Sequence, residues 1–318
     1  MLALLSPGQG SQTPGMLSPW LEIPGVAEQI AEFSDAAKLD LVAHGTQSDA
    51  DTIRDTAIAQ PLIVASSLIA ARALLGDRAA TDVAGVTAGH SVGEFAAAAI
   101  AGALSDASAV SLVGMRARAM ARAAAITPSG MSAVVGGDPD EVLAAIEEVG
   151  LTAANVNGGG QVVAAGSLEA LAQLAENPPA KARVIPLQVA GAFHTDYMAS
   201  ARDEFRAVTA TWTAQSPALP LLSNADGAVL DTATTGDEVL SRLVNQVASP
   251  VRWDLCQQTL QERGTSALIE LLPGGVLTGL ARRTLTGVPA VAMKSPDDLD
   301  KARQLIDEHL ATGTGEGA

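Results

Sequence analysis

The residues Gly89-His90-Ser91-Val92-Gly93 place a serine between two glycines, directly after the apolar run Val83–Ala88 and directly before an Ala-rich helical pattern. A strand–turn–helix junction of this kind lifts a serine hydroxyl clear of the backbone, and small flanking residues permit the tight turn. That is the setting of a nucleophile. The amide of Val92 would point into the same space and can donate to an oxyanion. The alternative is a serine that only caps a helix, which would not need both glycines.

A serine hydroxyl is a poor nucleophile until a base takes its proton. The candidates are His44, His90, His194 and His309. His309 falls near an end expected to fray, and His44 in an expected polar loop. His90 adjoins Ser91, so the two side chains should diverge. By elimination the base is His194, in Gly191-Ala-Phe193-His194-Thr195, where small residues before a bulky one suit a turn lining a pocket. Taken without Ser91, the same histidine would equally serve as a core or capping residue.

Arg116 lies in a helical pattern running from Asp106 to about Ala125, capped by Ser105 or Asp106. Successive residues advance by about 100°, which brings Leu112, Val113, Met120, Ala109 and Ala123 within about 60° of Arg116 and puts Arg118 and Arg122 opposite. One arginine therefore sits in the apolar stripe. A buried guanidinium without a partner costs several kcal/mol. It must either join an internal salt bridge or be held ready for a substrate carboxylate, which its planar fork matches.

These residues need a scaffold. Short apolar runs bounded by Gly or Pro alternate with longer helical patterns, an α/β signature. Leu2–Leu5, Val83–Ala88 and Ala267–Leu271 read as strands, and Pro61–Leu75 and Glu94–Ala101 as buried helices, with another through Arg283. Between Thr127 and Ala190 the order is strand Met131–Val135, helix Pro139–Val149, strands Leu151–Asn155 and Gln161–Ala165, helix Ser167–Ala175 and strand Arg183–Pro186. That βαββαβ sequence is the ferredoxin-like pattern. The expected architecture is a large α/β-hydrolase-like domain with a parallel sheet (1–126 and 191–318), an inserted ferredoxin-like domain (127–190), and an active site in the cleft between them. The tail 311–318 is expected to be disordered.

Composition narrows the function. The 318 residues carry 19 basic and 35 acidic side chains, a net charge of −16, which repels nucleic acid and anionic membranes. One cysteine, Cys256, allows no internal disulfide and suits a reducing compartment. The N-terminus lacks a signal-peptide pattern, and no apolar stretch is expected to span a membrane. Two further Gly-rich turns follow strands, Pro7-Gly-Gln9-Gly-Ser-Gln12 and Leu271-Leu-Pro-Gly274-Gly275. Neither has the lysine of a P-loop or the glycine spacing of a dinucleotide fold.

Taken together and in order, Pro7-Gly-Gln9-Gly-Ser-Gln12, Gly89-His-Ser91-Val-Gly-Glu94, Arg116, Gly191-Ala-Phe-His194 and Gln246-Val-Ala-Ser-Pro-Val-Arg-Trp253 closely resemble the malonyl-CoA:acyl carrier protein transacylase family over essentially the whole chain. Gly191 departs from the pattern, since many acyltransferase domains have His or Tyr there. The resemblance implies a malonyl-serine intermediate on Ser91 with His194 as base, and an oxyanion hole from the amides of Gln9 and Val92. It implies that Arg116 grips the malonyl carboxylate and that the main-chain carbonyl near Gln246 orients the histidine, a dyad without an acid. Asn157 would line the cleft. Bulky Phe193 and Val92 would favour unsubstituted malonyl. The partners implied are malonyl-CoA and acyl carrier protein, with no cofactor or metal, in a cytoplasmic monomer supplying fatty-acid or polyketide synthesis. Because that carrier is also acidic, docking would need a local basic patch, with Arg72, Arg183, Arg252, Arg282 and Arg283 as candidates.

The main rival is an esterase or thioesterase sharing the serine elbow. It would want an acidic triad member, for which Glu270 is conceivable, and it gives Arg116 no task. A docking module that has lost activity is the non-enzymatic alternative.

Overall fold

The structure, a computed structural model, describes residues 1–313. Among these, the strands in chain order are β1 (Leu2–Ser6), β2 (Val86–Gly89), β3 (Ser129–Gly136), β4 (Thr152–Gly158), β5 (Gln161–Ser167), β6 (Ala182–Pro186), β7 (Leu221–Leu222), β8 (Val229–Leu230), β9 (Val251–Arg252), β10 (Ala267–Glu270) and β11 (Ala290–Ala292). They form two sheets in a mixed α/β arrangement. The larger has the order β11-β10-β1-β2-β7-β8 and is parallel except for the β7–β8 hairpin. Every residue of β1, β2 and β10 is buried, as expected for central parallel strands covered on both faces.

The smaller sheet has the order β6-β3-β5-β4-β9. Its first four strands come from the segment between Thr127 and Ala190 and pair antiparallel, with helices Pro139–Glu148 and Leu168–Glu176 as the two crossovers. The fifth, β9, comes from residues far along the chain and pairs parallel to β4 through Asn155↔Val251 and Val156↔Arg252. The smaller sheet is thus completed by a strand from outside the 127–190 segment.

Three expectations at element ends change. Val83 closes a short helix, Ala80–Val83, and the strand starts at Val86. The helix expected from Pro61 begins at Thr56, with the Asp55 carboxylate accepting from the Ala57 amide. Pro61 removes one internal hydrogen bond, and burial of nearly the whole helix offsets that loss. This helix, Thr56–Leu75, is long and apolar enough to cross a membrane, but it is packed inside the protein. The terminal helix runs Leu299–Gly313, so the first part of the expected disordered tail is helical, and 314–318 lie outside the described residues. His309 is on that helix beside Ser266, its Nδ1 3.2 Å from the hydroxyl, and is not in a frayed end. His44 likewise sits in the helix Leu41–Thr46, its Nδ1 3.0 Å from Ser48 Oγ, and is not in a loop.

Candidate active site

The turn after β2 is as tight as backbone can make it. A Cβ on Gly89 would lie 2.0 Å from the Gly93 carbonyl carbon, and one on Gly93 would lie 2.2 Å from the Ser6 carbonyl oxygen of β1. Only glycine fits at either place. Between them Ser91 is held at φ 50°, in the left-handed region that a side chain adopts at a cost of about 1–3 kcal/mol. Asn224, which follows β7, clamps the turn: its Oδ1 accepts from the Ser91 amide at 2.7 Å and its Nδ2 donates to Gly89 O at 2.8 Å. The helix Gly93–Ile100 then begins with no side-chain cap. Among the described residues, the amides of Val92 and Gln9 make no hydrogen bond.

Ser91 Oγ lies 2.7 Å from His194 Nε2. His194 Nδ1 lies 2.8 Å from the main-chain carbonyl of Gln246. A carbonyl can only accept, so Nδ1 carries the proton and Nε2 is left to take the serine's. Burial, followed by the nearby Arg116 cation, drives the His194 pKa down to about 3, so the imidazole is neutral at physiological pH. His194 is also strained, at φ 61°. Gly191, the departure noted above, packs so closely on the helix Asp106–Ala124 that its Cβ would meet Ala124 Cβ at 2.8 Å.

Arg116 is wholly buried. It makes no ion pair among the described residues: one terminal nitrogen donates to Gln60 Oε1 at 2.6 Å and the other to Gln246 Oε1 at 2.9 Å, while Nε has no partner. Its charge therefore rests on two neutral amides and on the face of Phe95, 5.8 Å from the ring centre. Burial lowers its pKa to about 10, partly countered by Glu94, which still leaves it a cation at pH 7.

A cavity of about 580 Å³ opens over Ser91 and His194; Arg116 does not line it and lies behind Gln60, which does. Ser91, His194, Gln9 and Gln60 line one side, and Asn157 and Met131 of the smaller sheet line the other. Phe193 also faces it. His90 turns away from Ser91, with its Nε2 2.8 Å from Asn157 Oδ1, so the two sheets meet across the cleft. The Val92 side chain corrects one expectation: it is fully buried in the hydrophobic core and does not face the cavity, so it cannot screen substrate size.

Three other placements bear on the reading. Glu270 spends both carboxylate oxygens on the amides of Gly275, Leu277 and Thr278 at 2.8–2.9 Å and is no partner for His194. Of the five arginines considered for a basic patch, Arg72 is paired with Asp106 and Arg252 with Asp254, which removes both. Arg183, Arg282 and Arg283 are exposed and make no ion pair among the described residues; Arg283 donates to Gly159 O at 3.1 Å. Sequence reasoning missed Asn224, Gln60 and Glu94 as parts of the site. A polar residue inside an otherwise apolar helix was the available signal for Gln60 and Glu94; nothing marks Asn224.

The chain matches the acyl transferase domain model over residues 4–302. Malonyl CoA-acyl carrier protein transacylase of Mycobacterium tuberculosis is 52% identical over 305 residues, covering 96% of this chain and all of the relative. The Escherichia coli protein of the same name is 34% identical, covering 95% and 99%. The crystal structure of MCAT from Mycobacterium tuberculosis superposes with a TM-score of 0.89 over 95% of this chain and 99% of that one. A malonyl-transacylase solved in complex with a type II polyketide acyl-carrier protein is 30% identical, with a TM-score of 0.87 over 95% and 99%. A serine elbow, a carbonyl-held histidine and full-length likeness at this identity agree: the chain belongs to the acyl transferase family, among the malonyl CoA-acyl carrier protein transacylases.

Proposed function

We propose that the protein moves a malonyl group from malonyl-CoA to the phosphopantetheine thiol of acyl carrier protein through an ester on Ser91. In the first half-reaction Ser91 Oγ attacks the thioester carbonyl while its proton passes to His194 Nε2. The oxyanion that forms is taken up by the amides of Val92 and Gln9, helped by the N-terminus of the helix Gly93–Ile100. The carbon–sulfur bond breaks and the CoA thiolate recovers the proton from His194. In the second half-reaction the carrier thiol gives its proton to His194, its sulfur attacks the ester, and Ser91 Oγ leaves with that proton. No cofactor or metal enters either step.

Arg116 selects the acyl group in this reading. The malonyl carboxylate displaces Gln60 from the guanidinium and forms a two-pronged pair. The observation that carries the assignment is a fully buried cation resting on two neutral amides. Phe193 limits the space beside the malonyl carbon, and Asn157 lines the opposite wall.

The strand order β6-β3-β5-β4 with two helical crossovers supports a ferredoxin-like reading of 127–190 inserted into an α/β-hydrolase-like frame. The single buried cysteine supports a cytoplasmic setting, and we take the working form to be a monomer. The experiment that separates transferase from esterase follows the malonyl group from Ser91. Transfer to the carrier thiol with little free malonate is expected; release of malonate at the same rate with and without carrier overturns the proposal.

A further inference from the structure

We propose that Glu94 is a positioning residue for acyl-group selection, acting on Arg116 through the side-chain amide of Gln246. Glu94 is buried, does not line the cavity and makes no ion pair among the described residues. One of its oxygens accepts from the Asn224 amide at 2.5 Å, and the other accepts from Gln246 Nε2. Gln246 Nε2 also donates to Ser91 O at 2.9 Å. Both amide hydrogens of Gln246 are thereby engaged, which fixes which way the amide faces and leaves Oε1 as the end offered to Arg116.

The orientation matters because an amide can be turned over. Burial, partly countered by the Asn224 and Gln246 donors, raises the Glu94 pKa to about 8, so above that pH Glu94 can only accept. With Glu94 ionised, a flipped Gln246 would set Oε1 against carboxylate and carbonyl oxygens and aim its NH₂ at the guanidinium, which has only donors. With glutamine at 94, the new amide can donate as well as accept, and that penalty disappears. The guanidinium then loses a fixed partner in a place where Nε already has none. The main-chain carbonyl that holds His194 belongs to the same residue but does not depend on how its side chain faces. Loss of Glu94 should therefore fall on recognition of the carboxylate much more than on the serine and its base.

The inference rests on Arg116 as the carboxylate fork, so the test includes that residue. Acylation of Ser91 by malonyl-CoA and by acetyl-CoA, which lacks the carboxylate, is measured for wild type, Glu94→Gln, Gln246→Met and Arg116→Ala. Measured at about pH 9, where Glu94 is ionised, kcat/KM of Glu94→Gln with malonyl-CoA is expected to fall about tenfold more than with acetyl-CoA, chiefly through KM. Gln246→Met removes the connecting amide and keeps the carbonyl, and should show the same split. If Glu94→Gln does not fold, Glu94→Asp, whose shorter carboxylate does not reach the Gln246 amide, decides by the same split. A split in Arg116→Ala and Gln246→Met with equal losses for both thioesters in Glu94→Gln overturns the role of Glu94, and equal losses in both Glu94→Gln and Gln246→Met do so as well. Equal losses in Arg116→Ala overturn the fork itself.

Discussion

Two turns in the larger sheet look alike in sequence and do opposite things. Each follows a buried parallel strand, each is rich in glycine, and each leads straight into a helix: Gly89–Gly93 after β2, and Pro273-Gly274-Gly275 after β10. After β10, the Glu270 carboxylate folds back onto the amides of Gly275, Leu277 and Thr278, so the helix N-terminus is saturated from within. After β2, the carboxylate available is Glu94, and it faces away, toward Asn224 and Gln246. The Val92 amide is left free beside a strained serine. Whether a helix start is a joint or a reaction site is decided here by where one carboxylate points.

The largest consequence concerns the open turn. Ser91→Ala should abolish the acyl-enzyme, and His194→Ala should slow its formation by about 10²- to 10⁴-fold, the usual worth of a positioned base. Rapid-quench measurement of CoA release checks both; a normal burst from Ser91→Ala would remove Ser91 from the chemistry. His90→Ala should be much milder, because that ring is engaged with Asn157.

The closed turn should fail in a different currency. Glu270→Gln puts an amide donor among three backbone donors and should cost about 2–3 kcal/mol of stability while kcat/KM per folded molecule stays within about threefold. Urea unfolding followed beside the transfer assay shows the split, and a loss of activity without a loss of stability would mean the two turns are not so distinct.

The pH profile sharpens the picture of the base. With its pKa held to about 3, His194 is already unprotonated well below neutrality, so kcat/KM for acylation should show no falling acid limb near pH 6.5. The limb of a free histidine, descending as pH drops through 6–7, would show a solvated imidazole instead. The smallest expected effect is at the surface. Reversing Arg183, Arg282 and Arg283 together should raise KM for the carrier about three- to tenfold at low salt and less at high salt. Reversing Arg72 and Arg252 should leave that KM unchanged, because Asp106 and Asp254 already neutralise them.

The centre of the site was legible because its residue types are rare in their contexts. Ser91 between two glycines, His194 by elimination and Arg116 on an apolar stripe all come together in space. The supports were less so. Asn224 follows the two-residue strand β7, and β9 is equally short; neither is long enough to show a period. Gln60 and Glu94 were visible as polar residues in apolar helices, but a sequence does not reveal which buried neighbour they meet. The helix start at Thr56 was obscured by Pro61, whose local penalty is outweighed by burial that only the fold supplies.

The central claim is that Ser91 carries the acyl group and Arg116 chooses it. Intact-protein mass spectrometry after brief exposure to malonyl-CoA or acetyl-CoA reads both at once, in wild type and in Arg116→Ala. Wild type should carry malonyl and little acetyl. Arg116→Ala should lose malonyl loading by about 100-fold or more, because the carboxylate is stranded in a buried pocket, while acetyl loading stays equal or rises. A folded Arg116→Ala protein in which both adducts fall by the same factor would contradict the account.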